Sequence, residues 1–484
     1  MKEGSVKRNF VMNAILAVSG IVFPLISFRY ASRILMPEGI GKVSLATSLI
    51  AYFTMFSQLG LPTYGIRACA AVRDDRNALS RTAHELLGIN LTMTLASYLL
   101  LAAAMFIVPK LAEERLLYAV MSISMLLNSV GMEWLYKGLE QYTYITVRSV
   151  IFKVIALAAL LLMIRRQEDY VVYGGISVFA AAAPNILNLI HARKYIDFGR
   201  PAGCDWKRHL KPVLVFFAIS CAATIYTNLD TLMLGFMTAD TDVGYYNAAV
   251  KVKHALTTMV TALGAVLLPR SAWYVEQGRM EDFRRMTRKA LRFVLLAASG
   301  VTVYFMLYAR ECILVLSGEA FLPSAAAMRI IMPTVLLIGL THVIGMQTLV
   351  PLGKEKIVLR SEIAGAVTDL ILNLLLIPRY HAAGAAVGTL AAEAVVLCVQ
   401  YAALRPELKG FVREYEWGRL LAALVLAAAA GFWVQLTGLK PVLTLIVSAA
   451  CFFGVYGGFM LWRKEEILME SAETLKRKVR GTKE

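Results

Sequence analysis

Residues 10–67 read FVMNAILAVSGIVFPLISFRYASRILMPEGIGKVSLATSLIAYFTMFSQLGLPTYGIR. Two apolar runs flank the turn Pro37-Glu38-Gly39, one reaching from about Phe10 to about Leu35 and the other starting near Gly41. A bilayer core of about 30 Å needs about 20 apolar residues per helical span, so each run is long enough to cross. Lys2, Lys7 and Arg8 precede the first run. The run is too long for a signal-peptide core, and no small-x-small cleavage site closes it, so it reads as an uncleaved first span entered from the cytoplasm.

The pattern recurs along all 484 residues. Spans are expected to start near Phe10, Gly41, Thr82, Arg115, Tyr144, Val171, Lys211, Val243, Leu291, Ser324, Ile357, Ala382, Arg419 and Pro441. The chain is 58% hydrophobic and 17% charged, with mean hydropathy +0.62. That balance excludes an ordinary soluble domain, whose elements alternate apolar and polar faces. The expected fold class is an all-α integral membrane protein of about 14 transmembrane helices.

The net charge of +17 has no basic domain to occupy, which argues against nucleic acid as a partner. It is dispersed between the apolar runs, as the positive-inside rule requires. The connectors after even-numbered spans are basic: Arg67 to Arg81, Lys137 and Arg148, Arg193 to Arg208, Arg270 to Lys289, Lys354 to Arg360, and Arg405 to Arg413. The alternate set is short and acidic or mixed, as in Glu113-Glu114, Glu168-Asp169 and Asp240 to Asp242, with Arg165-Arg166 as an exception. Both termini are therefore expected in the cytoplasm. This parity fits 12 spans as well as 14.

Cys69, Cys204, Cys221, Cys312, Cys398 and Cys451 are scattered without CxxC or a histidine at ligand spacing, so neither a disulfide framework nor a zinc site is expected. Arg270 to Arg292 mixes Trp273, Tyr274, Phe283 and Met286 with basic residues and reads as an amphipathic segment of the headgroup layer; Glu465 to Arg480 is a weaker case. A faint internal repeat matches Gly41–Arg67 to Gly244–Arg270, with Ala46 and Ala249 each five residues after the glycine. A shift of six helices keeps orientation, which is the parallel arrangement some transporters use.

Three stretches carry a resemblance. Residues 27–67, SFRYASRILMPEGIGKVSLATSLIAYFTMFSQLGLPTYGIR, resemble the first two helices of oligosaccharide flippases of the polysaccharide transporter (Wzx-like) family. Residues 227–252, TNLDTLMLGFMTADTDVGYYNAAVKV, resemble the seventh and eighth, and residues 372–393, LNLLLIPRYHAAGAAVGTLAAE, the turn between the eleventh and twelfth. The family belongs to the MATE-like MOP flippase superfamily, with lipid II flippases and multidrug exporters. The resemblance implies two six-helix lobes, residues 1–208 and 209–410, two extra helices over 411–463, and a cytoplasmic tail over 464–484. It further implies a central cavity, alternating access and a lipid-pyrophosphate-linked oligosaccharide as substrate in the cytoplasmic membrane. Polysaccharide polymerases and glycosyltransferases are expected as partners. Two positions depart from the family: His381 stands where it usually has Gly, and Asp369 where it often has Asn or an apolar residue.

The chemistry of such a substrate selects residues. Its lipid tail can stay in the bilayer, but burying its charged diphosphate without partners is prohibitively costly. Ionisable residues inside spans are the first candidates. Arg29 and Arg33 lie one turn apart on span 1, and Arg forks match phosphate oxygens; headgroup snorkelling is their competing use. Lys251, Lys253 and His254 lie on span 8, with Lys251 the strongest phosphate candidate and a salt bridge to Asp230 its competing use. Lys42, at the outer start of span 2, can add to the same field, with snorkelling as its favoured competing use. Asn228, Asp230, Asp369 and Glu393 are candidates for cavity lining or for coupling to H+ or Na+. Glu133 and Lys153 can pair or line the cavity. No cofactor and no metal centre is expected.

A MATE-like exporter of small cations is the alternative function, disfavoured by the excess of Arg and Lys in spans 1 and 8. A membrane glycosyltransferase or polymerase would want a long catalytic loop or an acidic metal motif, and an ATP-driven pump a P-loop; the sequence has none of these. A scaffold would leave the intramembrane charges unexplained.

Overall fold

The computed structural model describes residues 6–199, 205–463, 465 and 469. Lys2, Cys204 and nearly all of the tail from Glu465 to Arg480 lie outside the described residues. Among those described, regular structure is entirely helical. Eleven helices are long and apolar enough to cross a membrane. Two of them far exceed the bilayer: Val11–Ala71 has 61 residues and Glu355–Arg405 has 51. The first takes in most of the helix Val6–Gln58, bent at Met36 (φ 59°, ψ 176°). The second lies within Glu355–Glu414, bent at His381 (φ 50°, ψ −129°). Pro24 stays inside regular helix, and the break falls at the residue before Pro37, where the proline ring disfavours helical dihedrals.

The chain divides into two compact units, 1–244 and 245–484. In the first, the bent helix is followed by the short Leu61–Ala71, then Arg76–Ile107, Arg115–Val130, Tyr142–Met163, Tyr170–Ala182 and Lys207–Met237. Its core is split. One cluster, at the Met36 end, joins Val43, Ala46, Tyr118, Met121 and Val178. Another, at the opposite end, joins Leu61, Leu86, Trp134, Tyr136 and Val213. Polar groups lie between: Ser57, Thr94 and Ser129 exchange hydroxyl bonds of 2.6–3.0 Å. Leu99, Leu100 and Phe106 stay exposed, as expected of surfaces solvated by lipid tails rather than water.

The helix Asp240–Glu276 enters the second unit. It ends in a turn at Gly278, whose φ of +67° is costless without a Cβ. Met280–Leu307 follows. The amphipathic stretch Arg270 to Arg292 is therefore the end of one long helix and the start of the next, joined at this turn. Ser324–Ile331, Pro333–Thr341 and a π-helical turn His342–Leu349 run on as one element. The last two helices, Trp417–Leu436 and Pro441–Trp462, pair with each other and dock on Met280–Leu307 through tyrosines. Tyr304 Oη donates to the Leu445 carbonyl and Tyr456 Oη to that of Leu296, both at 2.8 Å.

Candidate functional site

At the Met36 end of the first unit, backbone meets backbone. A Cβ on Gly41 would overlap the Asp240 carbonyl oxygen and lie 2.6 Å from its carbon; a Cβ on Gly244 would overlap the Pro37 oxygen and lie 2.8 Å from its carbon. These are the two glycines that open the faint repeat, and each excludes a side chain because of the segment next to the other. Lys110 bridges the same region. Its Nζ lies 3.0 Å from Asp240 Oδ1 and donates to the Gly235 carbonyl. One ammonium thus serves the carbonyl end of Lys207–Met237, where a cation suits the helix dipole, and pairs with Asp240, whose carboxylate suits the start of Asp240–Glu276.

Lys42, a candidate for the substrate field, is already engaged. Its Nζ lies 3.1 Å from Glu38 Oε1 and 3.0 Å from Glu114 Oε1, with the Tyr170 ring centroid at 5.0 Å. Tyr170 Oη donates to the other Glu114 oxygen at 2.7 Å. In this arrangement Lys42 is a strut rather than an open cation.

Arg29 and Arg33 are both exposed, while Phe28 just before them and Ala31 and Ser32 between them are buried. Asp230 is buried, and Asn228 donates to the Thr224 carbonyl at 3.1 Å and to Thr227 Oγ1 at 3.0 Å. Asn228 is therefore spent within its own helix. In the second unit Lys251 and Lys253 are half-buried and His254 is exposed. Among the described residues neither Arg29 nor Lys251 has an ion-pair partner.

The acidic candidates of the second unit sit in a built polar patch. Asp369 and Asn373 lie one turn apart before the His381 bend; Thr389 and Glu393 lie one turn apart after it, and all four are buried. Tyr246 Oη lies 2.9 Å from Thr389 Oγ1. Gly388 lets the two arms close up: a Cβ there would overlap Asn373 Oδ1 and come within 3.0 Å of Asp369 Oδ1. His381 sits where φ is +50°, a conformation that favours glycine, so its departure from the family pattern carries local strain.

Two clusters escaped the sequence reading. Glu85, whose side chain is fully buried, accepts from Arg81 Nε (3.1 Å), Arg208 Nη2 (2.6 Å), His209 Nε2 (2.8 Å) and the Asp205 backbone N–H (2.7 Å). Tyr64 Oη lies 2.8 Å from His209 Nδ1. Only the Arg81–Glu85 pair, four residues apart on one helix, had a local signal. Arg148, assigned by charge to a connector, is in fact 5% exposed. It donates to Asn185 Oδ1 at 3.3 Å and lies 3.7 Å from Glu133. Glu133 itself pairs more closely with Lys137, at 2.8 Å.

The family model described as "Polysaccharide biosynthesis protein" matches residues 6–275. A protein of Escherichia coli (strain K12) named as an O-antigen transporter is 22% identical over 395 residues, covering 81% of this chain and 95% of that one. A Haloferax volcanii protein named as a low-salt glycan biosynthesis flippase is 21% identical over 253 residues, 52% of each chain. In fold, the chain is similar to lipid II flippase MurJ in an inward closed conformation (TM-score 0.67, 12% identity, 92% of this chain and 99% of that one). It is also similar to an inward-facing MATE family transporter (TM-score 0.64, 12% identity, 84% and 99%).

Proposed function

Because this chain belongs to the polysaccharide biosynthesis protein family, we propose that it is a flippase that moves lipid-pyrophosphate-linked oligosaccharide units from the cytoplasmic to the outer leaflet. The observation that carries the reading is a pair of intramembrane cations, Arg29 and Lys251, without ion-pair partners among the described residues. A charge left in a span needs a ligand, water or a path to the interface, and a diphosphate is such a ligand. Relatives named as O-antigen transporter and glycan flippase support the same substrate class.

In this reading the chain has fourteen spans, counting the two arms of each bent helix and Asp240–Glu276, with both termini in the cytoplasm. Residues 1–208 and 209–410 form the lobes of an alternating-access cycle. The diphosphate is held by Arg29, Arg33, Lys251 and Lys253 while the lipid tail stays in the bilayer. Lys42 joins them once it is released from Glu114. The buried patch of Asp369 and Glu393 takes the coupling proton or sodium ion, since the sequence holds no ATP-binding loop. Polysaccharide polymerases and glycosyltransferases act next to it in the membrane.

The test is to deplete the protein in its own cells and identify polyprenyl-linked intermediates by mass spectrometry. Accumulation of one completed lipid-linked oligosaccharide supports the reading and names the glycan. An unchanged pool, with altered sensitivity to cationic compounds, moves the assignment to a MATE-like exporter.

A further inference from the structure

Span 1 and the helix Tyr142–Met163 run side by side in constant register. Thr146 Oγ1 donates to the Met12 carbonyl (3.0 Å), Lys153 Nζ to Ser19 Oγ (2.9 Å), and Tyr30 Oη to the Ile164 carbonyl (3.2 Å). Each of the three pairs is separated by 134 residues in sequence. Equal offsets mean parallel helices, stitched by three polar rungs. The two outer rungs are neutral. Of these three only the middle one carries a charge; a further contact, Arg8 Nε donating to Thr143 Oγ1 at 3.1 Å, lies exposed beyond the first rung.

That charge has no evident structural use. A serine, threonine or asparagine would stitch the seam as the outer rungs do, without the cost of holding a lysine's charge at the centre of a span. Lys153 lies at the midpoint of Tyr142–Met163, so its stem is too short to cross the roughly 15 Å to either interface. It is half-buried, and among the described residues it has no carboxylate partner. Among the described residues its one hydrogen bond is to a hydroxyl that is itself committed to the Leu16 carbonyl at 2.8 Å. The other lysines and arginines buried in this unit differ. Lys42 and Lys110 are paired with carboxylates, and Arg148 has both Asn185 and Glu133. Lys153 keeps two of its three N–H donors unspent, against the neighbouring helix Val6–Gln58, which carries Ser19 and, toward the Met36 end, Arg29 and Arg33. By helical rise these stand about 15 Å and about 21 Å beyond the Ser19 rung. Arg33 follows Ser19 by two heptads and so keeps close to the same side of the helix, drifting about 40°.

We propose that Lys153 is a mid-membrane anion station, an ammonium parked on Ser19 that takes the diphosphate of the lipid-linked substrate partway between the leaflets and passes it toward Arg29 and Arg33. The inference rests on the flippase reading but adds a residue and a position to it. Ser19 is the resting partner that keeps the cation solvated while no anion is present.

The test uses the purified full-length protein in nanodiscs and measures binding of farnesyl diphosphate, with farnesol as the uncharged control. The wild type is expected to prefer the diphosphate. Lys153→Gln should weaken diphosphate binding about tenfold or more, the loss of one charge-assisted contact, and leave farnesol binding unchanged. Lys153→Arg should restore it to within about threefold, because charge is kept. Ser19→Ala removes the same bond from the other side and should leave diphosphate binding intact. Equal losses in Ser19→Ala and Lys153→Gln would mean that the rung is only a stitch, and the proposal would fall. So would wild-type diphosphate affinity in a folded Lys153→Gln, with the flippase reading untouched. If the glutamine variant does not fold, Ser19→Ala decides alone, since a stitch predicts loss and a station predicts retention. A wild type that binds farnesol and farnesyl diphosphate equally would overturn the flippase reading and the station together.

Discussion

Gly41→Ala is expected to force open the contact between the starts of spans 2 and 8. The new methyl would lie 2.6 Å from the Asp240 carbonyl carbon and 3.1 Å from the Gly244 nitrogen. Carbon contacts settle at about 3.5–4.0 Å, so the two segments must part by about 1 Å. Overpacking costs about 1–3 kcal/mol. Here both partners are backbone and neither can rotate away, which places the cost near 3 kcal/mol. If the parted arrangement is relieved of that cost, its population rises about 150-fold, at tenfold per 1.4 kcal/mol. Gly244→Ala should act in the same direction, since its methyl meets Pro37. The two should not add: one movement apart relieves both overlaps, so the double variant should open little more than the stronger single one. A reporter is available in Leu45, which is buried against Gly235. With Leu45→Cys in a background free of other cysteines, the labelling rate with a membrane-impermeant maleimide added from outside reads the open population. Unchanged labelling in both alanine variants would refute the steric argument. Strict additivity in the double variant would refute its reciprocity.

His381→Gly should raise the melting temperature, by about 1 kcal/mol of relieved strain at φ +50° less the entropic cost of glycine; a lower melting temperature would mean that the contacts of the imidazole outweigh the strain. Glu85→Ala removes the acceptor of four donors, of which His209 is buried and the arginines half-exposed. It should cost about 3 kcal/mol, the low end for breaking a buried pair, and loosen the 205–209 segment that it holds; Glu85→Gln, which keeps one oxygen, should cost less. Arg29→Ala and Lys251→Ala should lower transport at wild-type abundance in the membrane. Full transport by both, measured as cell-surface polysaccharide formed per transporter, would sink the cationic pathway.

The sequence by itself determined the helices and their order. A bilayer imposes a one-dimensional rule, about 20 apolar residues per crossing, and the runs obey it so plainly that helices start within a few residues of the expected positions at Arg115, Tyr142, Ser324 and Pro441. The Met36 and His381 bends were legible for a similar reason, as turns between two such runs. Even the match of Gly41 with Gly244 was visible, though not that the two segments touch. What the sequence left undecided is which helix faces which. Lipid tails and the protein core are equally apolar, so hydropathy does not distinguish a packed face from a lipid-facing one. Lys42 looks the same in sequence whether it reaches a phosphate or Glu114. Lys153 and Ser19 stand 134 residues apart, and Arg208 and Glu85 stand 123 apart. Only the lateral packing of the helices brings such groups within bonding distance, and with them the difference between a cation already paired and one held in reserve.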